Sequence, residues 1–477
     1  MITHLPGIII SSLLFTGPLT SIFNKQLSKT ISFLVLGLNV ILTYILITHL
    51  LKDSTPLIYV MGGFSELVGI SFKLELINSI ILFLILFLGI ISLICTDENY
   101  TSKNIAIFIL NIAGLIGLTM TNDLFNAYVF LEIISLTSYG MIINKAKPLS
   151  YIASFRYLVV GTIAACIYLI GIGLIYANTG HLNITYASQV IAKLDLDTNY
   201  SLKVAEFLIY FSFICKALVF PINDKIIEAY LNSSLSAVIF ISGIISKVMI
   251  YFTIKLTFQL FNYTSLINES FSYLILILSL GLIIIAAFKA LKSNSLKTNL
   301  ALSSVNNVAY LFSLLSAPKI LLTPVLLQML FDALTKPILF IIAENAERNF
   351  GSDTISAIKK LCNNPLIKIS SLLLLLALIG FPLSLGFISK ATMINELFDN
   401  YFFFHAMPII LGSALSFIFL SRFFISINDV EVITTKVITF KREILILLFF
   451  TIINLALGTI YSKDLINFIE LVANKYR

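Results

Sequence analysis

The sequence predicts an all-α polytopic membrane protein of about fourteen transmembrane helices, and three observations predict it. Of its 477 residues, 58% are hydrophobic and only 12% charged, against roughly 25% charged in a soluble domain. The mean hydropathy is +1.00. Apolar runs of about 17–25 residues, the length that crosses a hydrocarbon core as helix, recur from one end of the chain to the other.

The first run, roughly 6–22, has no basic segment before it and no small-residue cleavage site after it, so it reads as a retained helix and not a signal peptide. Runs two and three, near 31–51 and 75–95, complete an N-terminal group within 1–100. Runs four to eight fall near 104–121, 124–143, 155–178, 203–221 and 234–257. Runs nine to thirteen fall near 271–291, 298–318, 321–343, 366–395 and 404–427, and the fourteenth near 443–461. No Pro-, Gly- or Ser-rich linker separates them. The chain reads as one integral membrane domain with segments 1–100, 101–260, 268–430 and 431–477.

Two runs are interrupted. KALVFPINDK (216–225) sets Pro221, and GFPLSLGFISK (380–390) sets Pro382, close to a lysine at membrane depth. Proline lacks a backbone donor and kinks a helix, and irregular backbone at that depth is tolerated only inside protein or against a watery cavity. The broken runs are the seventh and twelfth, an odd interval of five, so they cross the membrane in opposite directions. Paired broken helices at corresponding positions mark inverted repeats, here helices 4–8 and 9–13.

Counting spans in order puts the lysine- and arginine-rich loops on one side, with Lys25, Lys103, Lys145, Arg156, Lys225, Lys292, Lys359 and Arg442 among them; Lys52, Lys73, Lys193 and Lys203 fall on the poorer side. The richer side is expected to be cytoplasmic and both termini to lie outside. The net charge of +7 therefore belongs to loop topology, and no basic segment is long enough to bind nucleic acid. Cys95, Cys166, Cys215 and Cys362 are isolated from one another and from histidine, and His4, His49, His181 and His405 lie in loops or near span ends. No metal site, cofactor or catalytic constellation is expected, and the chain does not read as an enzyme by itself.

Six ionisable residues remain at depth: Glu132, Lys216, Lys247, Asp332, Lys336 and Lys390. Each costs ~3 kcal/mol on insertion scales, and such residues mark ion pathways by default. One alternative is a set of structural ion pairs. Polar stripes at helical spacing accompany the charges: Tyr128, Glu132, Ser135 and Tyr139 in the fifth run; Ser236, Gly243 and Lys247 in the eighth; Asn299, Ser303, Asn306 and Tyr310 in the tenth; Gln328, Asp332 and Lys336 in the eleventh. Burial disfavours a lysine's charged form and a nearby carboxylate restores it. A Glu132 that approaches or leaves Lys216 could switch that lysine between holding and releasing a proton.

These residues resemble a known family, the antiporter-like membrane subunits shared by respiratory complex I and the Mrp-type multisubunit Na+/H+ antiporters, with the D-type subunits of the Mrp antiporters the best match. The resemblance covers spans four to thirteen and is carried by NDLFNAYVFLEIISLTSYGMI with Glu132, KALVFP with Lys216, SLSAVIFISGIISKVMIY with Lys247, SLKTNLALSSVNNVAYL, DALTKPILF with Lys336, and GFPLSLGFISK with Lys390. It implies fourteen helices with two inverted five-helix repeats and proton translocation along a hydrophilic axis. Glu132, Lys216, Lys247 and Lys390 occupy the family's key positions. It also implies membrane-subunit partners within a hetero-oligomeric antiporter, protons and Na+ as transported ions, and a bacterial inner membrane as the location. The pattern departs where Asn223 stands for a His, Lys225 for a Trp, Ile227 and Ser234 for prolines, and Gln328 and Asp332 for two histidines. A proton-pumping subunit of NADH-quinone oxidoreductase, a non-conducting scaffold paralogue and a solitary solute carrier stay open as alternatives.

Overall fold

The computed structural model describes residues 2–53, 55–67, 69–96, 100–194, 199–217, 223–261, 269–317, 321–428 and 441–476. Pro221 lies outside these residues, as does the side chain of Asn223. The described chain is helical apart from one antiparallel hairpin, β1 (Leu57–Val60) and β2 (Ser71–Leu74), which pairs Leu57 with Leu74 and Val60 with Ser71.

The chain divides into two compact units. The first comprises residues 1–237, 244–268 and 474–477, and the second residues 238–243 and 269–473. In the first, α1 (Leu5–Ile22), α2 (Lys25–Lys52) and α3 (Leu76–Ile94) precede α4 (Ser102–Met120), α5 (Leu124–Ile142) and α6 (Leu149–Thr179). A short α7 (Ile184–Ile191), α8 (Tyr200–Lys216) and α9 (Asn223–Asn232) follow. Next in the chain come α10 (Leu235–Phe240) and a π-helical turn (Ile241–Ile245), of which residues 238–243 belong to the second unit, and then α11 (Ser246–Gln259) of the first. Helix α4 packs against α1 and α5, and α6 against α5 and α8. Starts are fixed locally: the Asp123 side chain accepts from Asn126 N at 2.7 Å and the Asn24 side chain from Leu27 N at 3.0 Å, each satisfying an orphan amide of a first turn.

The second unit holds α12 (Glu269–Lys292), α13 (Leu296–Leu315), α14 (Leu322–Phe350), α15 (Ile355–Leu361), α16 (Pro365–Ile379), α17 (Leu385–Asp399), α18 (Phe403–Asn428), α19 (Lys441–Gly458) and most of α20 (Ser462–Tyr476). Helix α13 packs on α12, α14 and α18, and α14 also on α17. Exposed faces of α12 and α18, with Ile277, Phe288, Phe404 and Phe417, suit lipid.

Among the described residues, ten helical segments are long and apolar enough to cross a membrane, and the α19–α20 pair, bent by 81°, adds an eleventh. The other expected spans correspond to helices that are short, polar or broken. Helix α8 has 17 residues, α13 carries the Asn299–Tyr310 stripe, and the twelfth run is split into α16 and α17. The split is a helix stop at Gly380, whose φ of 91° is left-handed backbone that glycine adopts freely. Pro382 sits in the intervening turn, and the Ser384 side chain caps α17 by accepting from Phe387 N at 3.3 Å. The sequence reading did not foresee the hairpin or the short α7 and α15.

Candidate functional site

In the first unit the site begins at the last residue of α8. Lys216 is buried, and its Nζ donates to Ser135 Oγ at 2.9 Å and to the Leu131 carbonyl at 3.4 Å. Ser135 itself donates to that same carbonyl at 2.8 Å, so one α5 turn presents a hydroxyl and a backbone oxygen to the ammonium. Glu132 lies between these two residues in sequence. It forms no ion pair with Lys216, and its Oε1 is buried without a hydrogen-bond partner. Tyr128 and Tyr139 of the same helix are half-buried, Tyr128 resting against Phe125 at 5.9 Å between ring centroids.

A cavity of about 20 Å³ opens beside this contact, lined by Ser135, Tyr157, Gly161, Cys215 and Lys216, with Ile245 and Met249 among its other walls. That is room for a water molecule, and Ser135, Tyr157 and Lys216 supply the polar partners a buried water needs. Ile245 and Met249 lie two residues on either side of Lys247, which is 2% exposed. Lys247 follows closely on the π-helical turn, a departure from α-helix frequent at functional sites. The structure thus brings Ser135, Lys216 and the Lys247 segment to one cavity.

The second unit treats its charges differently. Asp332 and Lys336, one turn apart on α14, are ion-paired at 2.7 Å with side chains 1% and 0% exposed. Asn307 Nδ2 donates to Asp332 Oδ1 at 2.5 Å. Gln328 Oε1 accepts from Ser389 Oγ at 2.6 Å. Lys390 Nζ donates to the carbonyls of Leu378 and Ile379 at 3.1 and 2.9 Å. These are last-turn oxygens of α16, left without intrahelical partners where Gly380 ends it, and the negative end of the helix dipole favours a cation there. Asn306 donates to Ser416 Oγ at 3.3 Å, and Tyr310 is fully buried against Gly412. Ser303 turns back onto its own helix, donating to the Leu300 carbonyl at 2.8 Å, so in this arrangement its hydroxyl links no two helices.

Sequence reading missed several buried charges. Lys255 is 0% exposed and donates to the carbonyls of Thr119 and Thr121 at 3.1 and 2.7 Å. Lys297 pairs with Glu344 at 2.5 Å and with Glu347, and Arg348 pairs with Glu443 at 3.2 Å. Each of these lies near a run's end, where a charge ordinarily reaches water; for Lys255, its place two turns beyond Lys247 was the available signal.

The family profile described as NADH:quinone oxidoreductase/Mrp antiporter, TM, matches residues 121–416. NADH-quinone oxidoreductase subunit N of Desulforudis audaxviator is 29% identical over 379 residues, covering 77% of this chain and 74% of that protein. A D-type Na(+)/H(+) antiporter subunit of Alkalihalophilus pseudofirmus is 22% identical over 386 residues, 79% of this chain and 77% of that protein. In fold the chain is similar to one in the membrane-bound sulfane sulfur reductase, an archaeal respiratory membrane complex, with a TM-score of 0.89 at 21% identity over 100% of this chain and 97% of that chain. A chain of the Mrp complex from Dietzia sp. gives a TM-score of 0.86 at 20% identity, again over 100% and 97%. The chain belongs to the NADH:quinone oxidoreductase/Mrp antiporter membrane family, and it is an all-α multi-pass membrane protein.

Proposed function

Within this family, we propose that the chain is a proton-translocating subunit of a multisubunit cation/proton antiporter, exchanging protons for Na+ in a bacterial inner membrane. One observation carries the reading: the buried ammonium of Lys216 is held by a hydroxyl and a carbonyl, without a carboxylate ion pair, beside a water-sized cavity. Neutral oxygen ligands let a lysine lose its charge without stranding a partner's charge in oil, whereas a tight ion pair opposes that loss. Glu132, one residue from Leu131 and with a buried unpartnered oxygen, is the movable charge in this reading. Its approach stabilises the Lys216 ammonium and its withdrawal releases the proton toward Lys247.

On this reading Lys216, Lys247 and Lys390 hold the transferred proton in turn. The Asp332–Lys336 pair and the polar residues Tyr128, Ser135, Tyr139, Ser303, Asn306 and Gln328 support the path. Helices α4 to α11 form the first repeat and α12 to α18 the second, with a break at Pro382, and both termini face outward. Small membrane subunits complete the assembly. The relationship to a membrane subunit of NADH-quinone oxidoreductase favours a second reading, in which the same path is driven by quinone chemistry in a partner subunit.

Gentle solubilisation from the native membrane followed by mass spectrometry of co-migrating chains tests the assignment. Small hydrophobic antiporter subunits are the expected result. NADH- or quinone-binding subunits would replace the first reading by the second, and migration alone would overturn both.

A further inference from the structure

Helix α11 carries a polar stripe of which the path described so far uses only Lys247. Lys247, Tyr251, Lys255 and Gln259 follow one another at steps of four, which places them on one face over about 18 Å of helix. The first three are 2%, 0% and 0% exposed. A stripe of lysine, tyrosine and lysine fully inside protein has no packing rationale, since alkyl side chains would fill the space without desolvating ammonium and hydroxyl groups.

The stripe ends at a charged group that reaches the surface. Gln259 Nε2 donates to Glu75 Oε1 at 2.9 Å, and Glu75 pairs with Lys73 at 2.9 Å, both side chains 18% exposed. Lys255 and Glu75 are tied to one anchor. Asn78 donates to the Thr119 carbonyl at 2.7 Å, the carbonyl that also receives Lys255, while its Oδ1 accepts from Glu75 N at 3.1 Å. Glu75 Oε2 and Gln259 Oε1 are buried without hydrogen-bond partners, so acceptor sites stand open where the stripe meets the carboxylate. The Tyr476 ring closes the same end, 5.6 Å from that of Phe258. The charges acting on Lys255 are those of Glu75 and Lys73, and Glu75 acts in turn on the Tyr251 and Tyr476 hydroxyls.

We propose that Tyr251, Lys255 and Glu75 form a proton path within the first unit, connecting Lys247 to the membrane face that bears the β1–β2 hairpin. The proposal rests on the proton-translocating reading above. Lys247, as ammonium, gives its proton to the Tyr251 hydroxyl oxygen as that hydroxyl passes its own proton to Lys255 in its amine form. Lys255, now ammonium, gives the proton to the Glu75 carboxylate, which releases it to water and returns to its charged form. Tyr251, Lys255 and Glu75 end as they began, Lys247 is left as the neutral amine ready to take the next proton, and one proton has moved from Lys247 to the hairpin face.

The test uses the intact complex in vesicles, with proton-coupled transport measured while pH is varied separately on each face. K255M is expected to lower transport at least about a hundredfold, the scale of losing a positioned proton carrier. E75Q is expected to slow transport and flatten its dependence on pH at the hairpin face alone, with Glu75→Asp restoring much of both. Because K255M also removes a buried anchor, assembly is checked on native gels, and the more exposed E75Q decides the matter if K255M fails to assemble. Normal transport with an unchanged hairpin-face pH profile in E75Q, while K216M is inactive, would overturn the path and leave the general reading intact. Normal transport in K216M as well would overturn the general reading.

Discussion

Lys216 and Lys336 are both buried lysines in apolar helices, yet their surroundings are opposed. Lys336 has a carboxylate one turn away at 2.7 Å, itself held by Asn307. Lys216 has a serine hydroxyl at 2.9 Å and a carbonyl at 3.4 Å, with a water-sized cavity alongside. The first arrangement fixes a charge and the second allows it to change. A paired charge inside protein becomes expensive when either partner is neutralised, because the other remains desolvated and uncompensated. The difference separates a lysine held in an ion pair on α14 from one held by neutral oxygens.

Five substitutions break or sharpen this comparison. The largest effect is expected from Asp332→Asn, which removes the carboxylate paired with Lys336 and should cost about 3–5 kcal/mol of stability, read as a lowered unfolding midpoint of the purified complex. Adding Lys336→Met should recover most of that loss. Lys216→Met strands no ion-paired carboxylate, so the complex should assemble while proton-coupled flux falls at least about a hundredfold, equivalent to ~2.7 kcal/mol in a barrier. Gly380→Ala should cost about 1 kcal/mol, since its φ is 91° and a Cβ would stand 3.0 Å from Lys390 Cδ; a lowered midpoint with slowed flux is expected. The smallest effect belongs to Gly161→Ala. Its Cβ would lie 3.3 Å from Ser135 Oγ on the cavity wall, and flux should fall about twofold, the scale of a few tenths of a kcal/mol, with no change in assembly.

Charges inside long apolar runs were the clearest thing to read in the sequence. Glu132, Lys216, Lys247, Asp332, Lys336 and Lys390 stand out because membrane insertion penalises each of them, and the Asp332–Lys336 pair follows from a separation of one turn. What Lys216 touches did not follow from sequence. Its partners lie 81 and 85 residues away, and the choice between Ser135 and Glu132 on one turn of α5 is made by packing. Lys255 escaped notice for a related reason: a lysine near the end of an apolar run ordinarily snorkels to water, and only the fold shows that Asn78, Glu75 and the end of α4 enclose it. The hairpin was hidden in a short segment between two spans, and α13, expected as a span, is a 20-residue helix buried in the second unit with its polar stripe inside.

The most direct measurement is proton flux through the purified complex reconstituted in vesicles, comparing wild type with Lys216→Met at equal, verified assembly. Loss of flux with assembly intact is the expected result. Wild-type flux from assembled Lys216→Met complexes would contradict the claim that a lysine held by neutral oxygens carries the proton.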